Sequence, residues 1–200
     1  YKEASTPYEW HEDLFKYAKE IGITIFSTPF DEKAVDLLED LNTPAYKIAS
    51  FELTDLPLIE YISKKKKPIL ISTGMGSEKE IKEAIETIRK QNCEQLLIFH
   101  CISSYPTPTE LSNLKMINYL KKKYKTEVGL SDHTIDNISA IVATSIGASA
   151  IEKHFIIDRK EKGPDSEFSI EPDELKILVK DVNRAWKALG SSEFSRPNIE

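Results

Sequence analysis

Cysteine is nearly absent: Cys93 and Cys101 are the only two in 200 residues. Two such residues make no disulfide framework and point to a reducing compartment, so the expected location is cytoplasmic. Glycine is sparse too, with seven residues. No G-x-G-x-x-G opens any helix-like stretch, which argues against a dinucleotide-binding protein. Long hydrophobic runs are missing; none approaches the ~20 residues of a membrane span, and no signal peptide is legible. No membrane partner is expected. Positive charge is in deficit, with 27 Lys and Arg against 33 Asp and Glu and a net charge of −6. Such a chain has no bulk attraction for nucleic acid, and an anionic ligand would need a local cluster of donors. The lysine runs at 64–67 and 121–125 fall where helices end, and there cations suit the helix dipole.

What the chain does have is alternation. With 40% hydrophobic residues it can bury one core. Apolar, β-branched runs recur at 23–28, 45–50, 68–73, 95–101, 126–131 and 149–155. Between and after them lie stretches with helical spacing, from "EDLFKYAKEIG" to "EPDELKILVKDVNRAWKALG". Asp31, Ser77 and Asp136 are expected N-caps. Gly22, Asn42, Gly147 and Gly190 mark helix ends. Strand–helix alternation at this period predicts a parallel sheet covered by helices. Polar residues gather at the ends of the strand-like runs, on six different segments. That distribution favours a (β/α)8 TIM-type barrel over an open doubly wound sheet, with about six of the eight strands present. The first residue is Tyr1 and the opening already reads as a helix approach, so the chain is expected to be a piece of a longer protein.

Side chains alternate along a strand. Gly129, Ser131 and His133 therefore share one face, and Val128 and Leu130 the other; Ala150, Glu152 and His154 share a face of the last strand. Two histidines at matching depth on successive strands could reach one divalent cation and leave positions open for oxygen ligands. Spacing alone leaves this level with two ordinary hydrogen-bonded histidines. Lys47 lies in the apolar run "AYKIAS", where a buried ammonium needs a carboxylate or a bound anion. Thr28, Ser50, Ser72 and Ser131 add hydroxyls at other strand ends, able together to cradle a phosphate or carboxylate. Tyr105 sits in the proline-braced loop "SSYPTP", beside Ser103, as a pocket-lining or a packing residue. Asp165 follows Gly-Pro on an expected tight turn near the mouth. His100 and His11 read as structural or surface residues, Trp10 and Trp186 as packing residues, and Cys101 as a small core residue.

The motifs "FSTPFD", "PAYKIASFELTDLPLIEYI", "KPILISTGM", "SSYPTP", "GLSDHT", "GASAIEKHF" and "GPDSEFSIEPDEL" follow one another along the chain. Together they resemble the sialic acid synthase family. Ser166 and Phe168, where sialic acid synthases usually carry His and Ala, resemble the pseudaminic acid synthase branch. The resemblance implies a (β/α)8 barrel that condenses phosphoenolpyruvate with an acetamido-deoxy sugar to a nonulosonic acid and phosphate. It implies a divalent metal at His133 and His154, manganese first, with magnesium or cobalt as alternatives. Phosphoenolpyruvate is then expected at Thr28, Lys47, Ser50, Ser72 and Ser131. Ser103 stands where the family often has an Asn that meets the phosphate. Glu152, Asp165 and Tyr105 are expected at the sugar as the catalytic group. Residues 1–200 are expected to be a partial barrel domain. Two N-terminal strands and a small C-terminal antifreeze-like domain would be lacking, the whole protein would be a homodimer, and the fragment would be inactive. Sialic or legionaminic acid synthases, other phosphoenolpyruvate-condensing sugar-acid phosphate synthases and a non-catalytic metal-binding remnant are the alternatives.

Overall fold

The structure is a computed structural model and describes residues 5–161 and 163–194. The first four residues of the opening stretch and Lys162 of the loop after the last strand lie outside the described residues. Helices form where the apolar spacing predicts them: α1 His11–Ile21, α2 Glu32–Asp40, α3 Leu56–Lys64, α4 Glu78–Lys90, α5 Lys115–Tyr124, α6 Ile138–Ser145 and α7 Pro172–Leu189. The starts have local chemical causes. Asp31 Oδ1 accepts from Ala34 N at 2.8 Å, and Ser77 with Glu80 forms a reciprocal capping box, so orphan amides of the first turns are satisfied. The expected cap at Asp136 is one residue early. Asn137 holds the cap position, while Asp136 Oδ1 accepts from Ile138 N at 2.9 Å. Gly22 stops α1 in the left-handed region at φ 74°, where a Cβ would be strained.

Five strands pair in chain order, all parallel: β1 Tyr46–Ile48, β2 Ile69–Ser72, β3 Leu96–Cys101, β4 Glu127–Asp132 and β5 Ile151–Lys153. With the helices between them they make a half-barrel. The sixth expected strand, at 23–28, is a correction. It reduces to one bridge, Ser27 to Tyr46, with Lys47 N donating to Ser27 O at 3.1 Å. Ile23 and Phe26 are exposed, so this β-prone run gains neither cover nor a continuous ladder.

The two faces of the sheet do different work. Tyr46, Ile48, Ile69, Ile71, Ile98, Val128 and Leu130 point toward the helices and form one apolar cluster with them. Lys47, Ser72, Phe99, Gly129 and Ser131 alternate onto the other face. Gly129 is required there: a Cβ would stand 2.6 Å from Ala150 O and 2.7 Å from the Phe99 ring. His100 faces the helix side, buried, within 2.8 Å of Ser112 O, and Cys101 is buried, both as expected. Trp10 and Trp186 do not pack: they are 59% and 64% exposed, on helix faces that no described element covers. Among the described residues no helix is long and apolar enough to cross a membrane.

Candidate active site

The polar side chains at the carboxyl ends of the strands form a connected row. Lys47 Nζ on β1 donates to Ser72 Oγ on β2 at 2.6 Å and lies 3.6 Å from Glu152 Oε2 on β5. Ser131 Oγ on β4 donates to Glu152 Oε1 at 2.6 Å. Strand β3 contributes the Phe99 ring, with the Lys47 ammonium 5.6 Å from its centroid. The expected partner of the buried ammonium is therefore a carboxylate, as charge burial demands. Lys47 is nearly covered while Glu152 is 39% exposed, so the row is open on the Glu152 side.

A second group gathers beside it. Ser50 Oγ accepts from Gly74 N at 3.1 Å and lies 3.2 Å from Cys101 Sγ. Gly74 makes this approach possible, because a Cβ there would fall 2.2 Å from Ser103 Oγ and 2.8 Å from both Ser50 Oγ and Cys101 Sγ. Ser103 Oγ is buried next to Gly74 and interacts with the Tyr105 hydroxyl, which ties this group to a neighbouring cluster of rings. Thr28 is half-buried beside Ser27 and has no hydrogen bond to either group.

The third feature is a cluster of rings. Tyr105 stacks on His133 with centroids 4.3 Å apart, and His133 and His154 are 5.3 Å apart at 57°. Phe168 closes the cluster, 5.2 Å from Tyr105 and 5.1 Å from His154. Asp165 Oδ2 faces His154 Nδ1 at 3.4 Å. Partial burial raises the Tyr105 pKa from its ordinary 10.0, further from neutral pH.

The two imidazoles fit a divalent cation chemically. His133 Nδ1 lies 2.7 Å from Ile102 O. A carbonyl only accepts, so Nδ1 carries the proton and Nε2 keeps its lone pair. Ser131 Oγ is 3.4 Å from that Nε2, but its one proton goes to Glu152 at 2.6 Å, which leaves the lone pair free. Burial also holds the His133 pKa below its ordinary value, keeping the ring in the neutral, ligating form. Among the described residues no group of three His, Cys, Asp or Glu side chains converges as a cation cage would. The pair fits a site of two nitrogen ligands, with oxygens supplied by water or substrate.

Sequence reasoning thus named most residues the structure brings together. It missed the Phe168 ring as a wall of the cluster and the Ile102 carbonyl, which is backbone and leaves no trace in residue type. It also passed over Asp132 and Lys153, whose charges at core-facing strand positions were a legible signal.

Polar side chains at the carboxyl ends of parallel strands, in a helix-covered half-barrel, are the layout of a (β/α)-barrel with its candidate site at that end. The chain belongs to the NeuB family, whose pattern matches residues 1–194. It is 43% identical over 193 residues to the pseudaminic acid synthase of Helicobacter pylori, covering 96% of this chain and 57% of that protein. It is 41% identical over 182 residues to the N,N'-diacetyllegionaminic acid synthase of Campylobacter jejuni, covering 90% of this chain and 54% of that protein. The crystal structure of N-acetylneuraminic acid synthetase from Leptospira borgpetersenii, in complex with citrate, matches with a TM-score of 0.92 at 31% identity. That match covers 98% of this chain and 68% of the other. The chain spans a little over half the length of these curated relatives.

Proposed function

We propose that this chain is the larger part of the catalytic barrel of a nonulosonic acid synthase. It would condense phosphoenolpyruvate with an acetamido-deoxy sugar to give pseudaminic acid and phosphate. The observation that carries the reading is the row Ser72–Lys47–Glu152–Ser131 running up to the His133–His154 pair. Lys47, Ser72 and Ser131, with Thr28, Ser50 and Ser103, hold phosphoenolpyruvate. Glu152, Asp165 and Tyr105 face the sugar. Manganese, magnesium or cobalt held by His133 Nε2 and by His154 would supply Lewis acidity at the open-chain aldehyde of the sugar.

The chain's own groups orient the reactants and balance charge. C3 of phosphoenolpyruvate bonds to the aldehyde carbon, and the aldehyde oxygen takes up a proton. Water adds to C2, and the tetrahedral intermediate breaks its C–O bond to phosphate, leaving a C2 ketone. The Lys47 ammonium, fixed by Ser72 and Glu152, faces the substrate's negative charge throughout. Protonated Tyr105 donates toward the sugar.

Under the same reading the 200 residues work within an eight-stranded barrel of a cytoplasmic homodimer that also carries a small antifreeze-like domain. Alone they turn over little or no substrate, because among the described residues β5 lacks an outer strand partner and β1 has only the single Ser27 bridge on its outer side. Ser166 and Phe168 favour the pseudaminic branch over the legionaminic and sialic ones.

The test is phosphate release from phosphoenolpyruvate with manganese, using the chain extended to its relatives' length. The acceptors are 2,4-diacetamido-2,4,6-trideoxy-altrose and N-acetylmannosamine. Release with the first sugar only, abolished in His133→Ala and in His154→Ala, is expected. Release that survives both substitutions refutes the two-histidine site; release with neither sugar refutes the synthase assignment.

A further inference from the structure

The two candidate ligand histidines each follow a charged residue: Asp132 precedes His133 at the end of β4, and Lys153 precedes His154 at the end of β5. Strand alternation sends the rings to the inner face and the charges to the helix side. There Asp132 and Lys153 are in register. Lys153 Nζ donates to Asp132 Oδ2 at 2.8 Å, with the side chains 4% and 1% exposed. The ammonium also reaches the carbonyls of Thr134 and Asp136. Its three donors thus have three acceptors, all on the segment that surrounds His133. The other carboxylate oxygen, Asp132 Oδ1, accepts from Thr134 N at 2.9 Å and Thr134 Oγ1 at 2.7 Å. From the inner side, Thr107 N donates to His133 O at 2.8 Å.

Stability does not account for this arrangement, because well-packed apolar residues of similar volume are often as stable as a buried ion pair, or more so. Direction is what an apolar pair cannot supply. An ammonium with three fixed acceptors sets both the separation and the rotation of the two strand ends. That separation in turn sets how the rings meet, now 5.3 Å between centroids. Metal–nitrogen bonds tolerate only about 0.2 Å of error, so two ligands on separate strands need such a clamp.

We infer that the Asp132–Lys153 pair is a positioning device that sets the approach of the His133 and His154 rings. In metal binding this role rests on the two-histidine reading above; in ring geometry it stands alone. The experiment uses the extended chain and the double substitution Asp132→Leu/Lys153→Met, which replaces the pair with apolar bulk. Three readouts are taken: the melting temperature, Mn2+ affinity from the electron paramagnetic resonance of the free ion, and, without metal, the nuclear Overhauser contact between the two imidazole rings. The double variant is expected to melt close to the parent, lose about 10- to 100-fold in Mn2+ affinity, and lose the ring contact. Unchanged affinity and an intact ring contact would overturn the inference, leaving the pair merely structural. Thr134→Val, which removes the Thr134 Oγ1 hydrogen bond to Asp132 Oδ1 at nearly constant volume, serves if the double variant does not fold. It should move affinity and ring contact in the same direction, and no change in either overturns the inference. If the parent binds no Mn2+, the two-histidine reading falls, and the ring contact alone decides the positioning role: kept, it is refuted; lost, it stands.

Discussion

Replacing Lys47 with methionine separates anion binding from architecture. The stem keeps its packing and only the ammonium is lost. In the protein alone that removes the charged hydrogen bond to Ser72, about 1.5–3 kcal/mol. It also removes the pair with Glu152, which at 3.6 Å with a 39% exposed partner contributes about 0–1 kcal/mol. The sum is roughly 1.5–4 kcal/mol, and at about 2–4 °C per kcal/mol for a domain of this size the melting temperature should fall by about 3–16 °C. The effect on ligand is read separately. A hydrogen bond to a charged group contributes about 1.5–3 kcal/mol, so phosphoenolpyruvate affinity should fall about 10- to 100-fold. Calorimetric titration of the extended chain measures the second quantity, and a thermal melt the first. Unchanged affinity beside a lowered melting temperature would refute the reasoning, since Lys47 would then serve only as the internal partner of Glu152.

Gly129→Ala should destabilise the fold by about 1–3 kcal/mol, because the added methyl meets a backbone oxygen and an aromatic ring with no room to yield; a urea midpoint equal to the parent's would contradict that. Burial pushes the His100 pKa below its ordinary 6.5, so as pH falls through 6.5 the unfolded chain binds more protons than the folded one and stability declines. His133, also depressed, adds to the same slope. His100→Gln keeps a donor for the Ser112 carbonyl but cannot titrate, so it should flatten the dependence of the urea midpoint between pH 7.5 and 5.5; an unaltered slope would assign the loss to other groups.

Much of this was legible in the sequence because period and chemistry agreed. Several helices combine an apolar stripe with a cap or stop residue, as at Asp31, Ser77 and Gly22. The strand faces followed from alternation, which put Ser131 with His133 and Glu152 with His154. The segment at 23–28 misled because β-propensity registers side-chain type, not whether a ladder and a cover exist. Trp10 and Trp186 misled for a related reason: a sequence shows an apolar stripe but not whether anything lies on it. The Asp132–Lys153 pair needed the register of β4 against β5, which no single-strand pattern carries.

The strand order β1-β2-β3-β4-β5 has a consequence for assembly. Every strand pairs with its nearest neighbour along the chain, so each addition closes one modest loop and no strand waits for a distant partner. A chain made from its N-terminal end can lay the sheet down in that sequence. The lysine on β1 enters first, and the histidines that follow β4 and β5 enter last. The seat for a negative charge therefore takes shape before the pair of rings beside it, and until β5 arrives carrying Glu152 the ammonium meets Ser72, the Ile48 carbonyl and the Phe99 ring but no carboxylate.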